Sequence, residues 1–156
     1  MIMITPRALN EHDRLRMSRG VAAALFLTLL AGNASSTGAA PRYPRNALVL
    51  FVAPWCAPCY GELARLDDIA AAARPRQVRV LLVEEGARAS AMVRTVEASR
   101  RWALPAREMR RVRADVWLRT GGLPYSVATD DEGRICAEQK GGLDPARTRQ
   151  LVERCR

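Results

Sequence analysis

The sequence predicts an α/β domain built on a mixed β-sheet flanked by helices. Three observations predict it. Two short, mostly apolar runs, Ala47 to Ala53 (ALVLFVA) and Val78 to Val83 (VRVLLV), enclose a segment with helical periodicity. Two later strand-like runs, Tyr125 to Thr129 (YSVAT) and Arg134 to Gln139 (RICAEQ), are joined by an acidic, glycine-containing turn. The chain then closes on a helix-start signal, Asp144 followed by Pro145. That order gives a layered α/β architecture.

Each element has its own local cause. Ala47 to Ala53 is too short for a typical helix and apolar throughout, as in a strand buried on both faces. Pro54 ends it. From Cys56 onward Leu63, Leu66, Ile69, Ala70 and Ala73 recur on one helical side, with Glu62, Arg65 and Asp68 on others, and Arg74-Pro75 closes that helix. Strand, helix and strand in this spacing form a βαβ unit, so the first two strands are expected to be parallel. Ala87 to Ala103 reads as a second helix with Met92, Val93, Val96 and Trp102 as its apolar stripe. Leu104 to Thr120 predicts a turn at Pro105 and a short helix carrying Val112, Val116, Trp117 and Leu118. Asp130-Asp131-Glu132-Gly133 turns the hairpin, and Asp144 caps a last helix that starts with Pro145 and runs to Cys155.

The 156 residues, 49% hydrophobic and 26% charged, suit one domain with its own core. Net charge is +9, from 25 basic and 16 acidic residues, and every basic residue but Lys140 is Arg. Those arginines are spread along the chain; the densest run is Arg107, Arg110, Arg111 and Arg113. No alternation of basic and aromatic residues marks a stacking platform for bases, so a solvated basic surface is favoured over nucleic-acid binding.

Residues 1–40 read as a signal-peptide region ahead of a domain at 41–156. Arg14, Arg16 and Arg19 precede the run Val21 to Ala31 (VAAALFLTLLA), which is followed by small residues through Ala40. This basic, apolar, small-residue order is that of a secretory signal, with cleavage after Ala34 or Ala39. The run has eleven residues, short of the roughly 20 that span a bilayer, so membrane anchoring is the weaker reading. A start at Met17 gives a more compact signal, which makes residues 1–16 a candidate mis-called start. Export to the periplasm is the expectation, and disulfides persist there.

The chemistry centres on Trp55-Cys56-Ala57-Pro58-Cys59. A strand that delivers Cys56 to a helix N-terminus sets its sulfur among unpaired backbone N–H groups, which favour the thiolate. Such positions lower a thiol pKa from about 8.5 into the range of about 3.5–7.5. Cys59 comes back within reach on the first turn, so the pair is suited to closing and reopening a disulfide, with Cys56 attacking and Cys59 resolving. A Cys-x-x-Cys is also half of many zinc sites, but the second half is missing here: the sole histidine is His12, and Cys136 and Cys155 are 19 positions apart.

With these residues in place, the chain resembles the thioredoxin superfamily, and within it the exported TlpA/ResA-like thiol–disulfide oxidoreductases. The resemblance runs from about Ala47 to Arg156. WCAPC after an apolar strand is similar to that family's active-site motif. Gly122-Leu123-Pro124, followed by a strand, an acidic turn and Gly133-Arg134-Ile135, is the second landmark. The resemblance implies a thioredoxin-like fold, a cis peptide bond before Pro124, and a substrate-docking edge formed by Trp55, Leu123 and Pro124. Glu62 stands where that branch often has a glutamate after its second cysteine, which makes it a candidate proton relay, a solvated helix face being the alternative. Two departures matter. Leu50 occupies the place of thioredoxin's buried acid, and only Pro41 to Asn46 precedes the central strand, so a reduced N-terminal part is expected.

Cys136 and Cys155 stay open at this point: a structural disulfide, two separate thiols, or an intermolecular bond through Cys155. The resemblance implies an exported, monomeric enzyme with Cys56 and Cys59 as redox centre, which reduces protein disulfides with electrons from a membrane thiol donor. Apocytochrome c or copper-site assembly proteins are typical clients of the branch. No NAD, flavin or metal site is visible. An oxidant or isomerase on the same fold is the alternative, since related folds span about −270 to −120 mV. A non-enzymatic Cu(I) chaperone is another, disfavoured because Met109 is the sole methionine between Val93 and the end of the chain.

Overall fold

A computed structural model of the chain describes residues 40–155. The expected signal region, 1–40, lies outside the described residues except for Ala40, and among the described residues no helix is long and apolar enough to cross a membrane. Four strands form one sheet: β1 (Ala47–Val52), β2 (Gln77–Leu82), β3 (Tyr125–Thr129) and β4 (Ile135–Lys140), in the order β2-β1-β3-β4. β1 runs parallel to β2 and antiparallel to β3, which pairs antiparallel with β4. The sheet is therefore mixed, and the βαβ expectation holds. Among the described residues no strand precedes β1.

All of β1 is buried, as its uninterrupted apolar run requires of a central strand. Phe51 stacks on its register partner Tyr125 and meets the ring of Tyr43, which also packs on Trp102. The hairpin turn needs a glycine. Gly133 has φ +81°, and a Cβ there would lie 2.6 Å from the carbonyl oxygen of Tyr43.

The helices differ more from expectation. The helix anticipated from Cys56 to Arg74 is two, α1 (Ala57–Ala64) and α2 (Leu66–Ala73). At the junction, the Arg65 side chain donates from Nε to the Gly61 carbonyl at 2.8 Å, the acceptor its own backbone N–H would use in a continuous helix. That N–H turns instead to Glu62 O at 3.1 Å, which tightens the turn and redirects the chain. Both Arg74–Pro75 and Leu123–Pro124 are cis, the first not anticipated.

The second anticipated helix, Ala87 to Ala103, is also corrected. Only α3 (Ala87–Met92) forms, followed by turns and a 3₁₀ turn at Ala98–Arg100. Met92, Val93 and Val96 are buried nonetheless. Their spacing serves a folded loop whose carbonyls at Arg94 and Val96 accept from the Arg101 guanidinium, and Trp102 N–H pairs with Val80 O, extending the chain beside β2.

α4 (Ala106–Arg119) is longer than the short helix expected, and it buries only Val112 and Val116; Trp117 and Leu118 face water. α5 (Pro145–Glu153) starts as anticipated, with Asp144 accepting from Arg147 N–H at 2.8 Å. It packs against α2 and β4. α4 is clamped to the sheet by a chain of polar contacts. Tyr43 and Arg119 both donate to Asp115, Arg119 also to Glu138, and Tyr125 to Glu138.

Candidate active site

Strand register decides which loops meet. Val52 at the end of β1 pairs with Leu82 at the end of β2, Phe51 with Tyr125 at the start of β3, and Tyr125 with Lys140 at the end of β4. Residues 53–56, 83–86, 121–124 and 141–144 thus gather at one end of the sheet.

Pro54 and Trp55 turn the chain out of β1, Cys56 N–H pairing with Ala53 O at 3.0 Å, and Cys56 becomes the N-cap of α1 with extended backbone. Pro58 sits in the first helical turn, where its missing N–H leaves no acceptor wanting. No side-chain hydrogen bond caps this helix start, so Cys56 stands at an N-terminus whose first backbone N–H groups have no side-chain partner. Cys56 and Cys59 are disulfide-bonded, their Cα atoms 5.3 Å apart, and both are buried.

Glu62 lies one turn beyond Cys59 and is only 1% exposed, so it is not part of a solvated helix face. Its Oε1 accepts the Leu143 N–H at 2.6 Å, while Oε2 has no partner. Burial pushes its pKa up to about 7, against the smaller opposing pull of the Leu143 N–H and the Arg65 charge. A carboxyl that changes protonation near neutrality beside a redox-capable sulfur is suited to moving protons.

Leu123 is half-buried and Pro124 buried, joined by their cis bond at the start of β3, alongside the end of β1. Gly141 N–H donates to Pro124 O at 2.9 Å, tying this loop to the end of β4. Trp55 is 54% exposed, with its indole N–H donating to Glu84. Trp117 stacks on it with ring centroids 6.5 Å apart. Nothing local to Trp117 signals this, because the contact depends on where α4 docks.

Cys136 and Cys155 belong elsewhere. They are joined to each other, with Cα atoms 5.1 Å apart, and Cys136 lies next to Ile135, which pairs with Thr129 at the opposite end of the sheet. Asp130, Asp131 and Glu132 bring carboxylate oxygens within 4.8 Å of one another in the hairpin turn. Asp130 there accepts from the N–H groups of Glu132 and Arg134 and from the Arg134 side chain, which accounts for it as a turn-building residue.

No protein-family model matches the chain, and no curated protein does. Among solved structures, DsbF of MTB, in its mixed oxidized and reduced forms, matches with a TM-score of 0.51 at 20% identity, over 71% of this chain and 81% of that one. The chain has a thioredoxin fold. A Chlorobium tepidum protein described as a thiol:disulfide interchange protein, DsbE, gives a TM-score of 0.48 at 20% identity, over 71% of this chain and 77% of its own. StoA from Bacillus subtilis gives 0.46 at 16% identity, over 74% and 86%. Within the thioredoxin fold, the end of the sheet that carries Cys56, Cys59, Glu62 and Pro124 is the candidate active site.

Proposed function

We propose that this chain is an exported thiol–disulfide oxidoreductase that reduces disulfides in other exported proteins. The observation that carries the reading is the Cys56–Cys59 pair at a helix N-terminus with a buried, near-neutral Glu62 behind it. The thioredoxin fold supports it, as does the likeness to the solved DsbF structure. The basic and apolar pattern of residues 14–31 supports export to the periplasm.

In the reduced protein the Cys56 thiolate, stabilised by the α1 N-terminus, attacks one sulfur of a client disulfide. A Cys56–client mixed disulfide forms, and the other client sulfur leaves as a thiolate that takes up a proton. Glu62 accepts the proton of Cys59, whose thiolate attacks Cys56 Sγ. The second client thiol departs, and the Cys56–Cys59 disulfide is left. Two electrons have passed to the client, and a dithiol donor, which we place in the membrane, returns the pair to its reduced state. Leu123 and Pro124, with Trp55 opposite, form the edge on which the client chain rests. Cys136–Cys155 is a structural bridge that takes no part, and the protein acts as a monomer.

Reduction of insulin disulfides under complete chelation tests this. Catalysis is expected to survive chelation and to vanish in Cys56→Ser. Loss of the activity on chelation, or an undiminished rate in Cys56→Ser, would overturn the reading, the first in favour of a metal-thiolate role.

A further inference from the structure

The large apolar side chains left exposed among the described residues are Trp55, Tyr60, Trp117 and Leu118. Three of them gather. Trp55 and Trp117 stack with planes 23° apart, and the Tyr60 hydroxyl reaches toward the carbonyl of Pro54, next to Trp55, at 3.4 Å. Trp117 is 42% exposed. Exposed apolar area that clusters beside a reactive pair, rather than occurring singly, marks a surface for a partner.

Charge narrows the partner's chemistry. Arg113 and Arg110 precede Trp117 by four and seven residues, so the three share one stripe of α4. Among the described residues neither guanidinium has an ion-pair or hydrogen-bond partner, whereas Arg111 is paired with Glu108, and Arg119 with Asp115 and Glu138. Beside Trp55 the charges are mixed: Glu84 holds the indole, and Glu85 and Arg88 line the same pocket. The surface is thus apolar at the Trp55–Trp117 pair and basic along α4.

We propose that this face docks an extended client segment that is apolar where it crosses the Trp55–Trp117 pair and acidic where it passes over Arg113 and Arg110. Seven helical residues rise about 10 Å, which an extended chain covers in about three residues. Carboxylates about three residues from the apolar contact then meet the guanidiniums, which are suited to bidentate recognition. This inference rests on the oxidoreductase reading of Cys56.

The test uses the reduced full chain and two synthetic peptides. Each carries one disulfide with an adjacent phenylalanine, and either two aspartates or two lysines three residues along. The aspartate peptide is expected to exchange about 10-fold faster at low salt, as steering by opposite charge allows. That ratio should collapse toward one at high salt and invert in Arg110→Glu/Arg113→Glu. Equal rates for the two peptides at low salt, or a ratio unchanged by the double substitution, would overturn the proposal. If the double variant fails to fold, the salt series on the unsubstituted protein decides. Bis(2-hydroxyethyl) disulfide separates the two readings. Reaction with it but no preference between peptides removes the docking surface alone; no reaction with it removes the oxidoreductase reading and the docking surface together.

Discussion

The carboxylate of Glu62 accepts the Leu143 N–H at 2.6 Å, joining the helix that carries Cys59 to the loop that enters α5. One oxygen is thereby fixed and the other, Oε2, is left buried without a partner. The same group is thus a structural strut and a proton-accepting site.

Its titration has a defined effect on stability. Glu62 has its pKa raised by burial from 4.5 to about 7, so the folded protein holds a proton that the unfolded chain releases. The stabilisation is full below pH 4.5 and is lost as pH rises through about 7. The difference amounts to about 3 kcal/mol. Glu62→Gln keeps an acceptor for Leu143 and does not titrate. Its melting temperature is expected to stay flat across this window while that of the unsubstituted protein declines; parallel declines would count against the assignment.

The two cysteines are expected to separate by trapping. Cys59→Ser should accumulate a Cys56–client mixed disulfide, seen by mass on non-reducing separation, and Cys56→Ser should accumulate none. In Glu62→Gln the mixed disulfide should form at an unchanged rate at neutral pH but resolve roughly 10²-fold more slowly, as loss of a general base implies. Equal slowing of both steps would point to a distorted site rather than a lost proton acceptor.

The Cys136–Cys155 bridge spans a separation of 19 residues and ties β4 to the end of α5. Chain-entropy arguments give such a closure about 3 kcal/mol. Cys136→Ser/Cys155→Ser is expected to lower the unfolding free energy by that amount, read by chemical denaturation, while leaving exchange at Cys56–Cys59 intact. An unchanged unfolding free energy would remove the structural role.

Arg119 stands between Asp115 and Glu138, 2.9 and 2.8 Å from their oxygens. Arg119→Met leaves two carboxylates facing each other without a cation. These groups are partly exposed, so water screens the loss, and a cost of about 1–2 kcal/mol at neutral pH is expected. Chemical denaturation of the two proteins side by side reads the cost, and an unchanged unfolding free energy would remove the clamp.

Much of this arrangement is written locally. The apolar runs of β1 and β2, the Asp130–Gly133 turn and the Asp144-Pro145 helix start each need only neighbouring residues, and each matches the structure. The cysteine spacing and the cis Leu123–Pro124 bond are likewise legible, the second through its resemblance to a family. What escaped depends on distant contacts. The break at Arg65 arises when a side chain takes a helix carbonyl, and the helical spacing from Met92 to Trp102 is satisfied by a loop that pairs with Val80. Trp117 follows Val116 in sequence and so reads as part of the same apolar stripe. One residue is about 100° of helix at 3.6 residues per turn, enough to turn it from the core toward Trp55.

The central claim is that Cys56 and Cys59 form a working redox couple. The most direct measurement equilibrates the purified chain across glutathione and dithiothreitol buffers, quenches with acid, and counts alkylated cysteines by mass and peptide mapping. A single two-electron transition at Cys56–Cys59 is expected between about −270 and −120 mV, with Cys136–Cys155 still closed. A Cys56–Cys59 bond that stays oxidised throughout that range, or a transition carried by Cys136–Cys155 instead, would contradict the account.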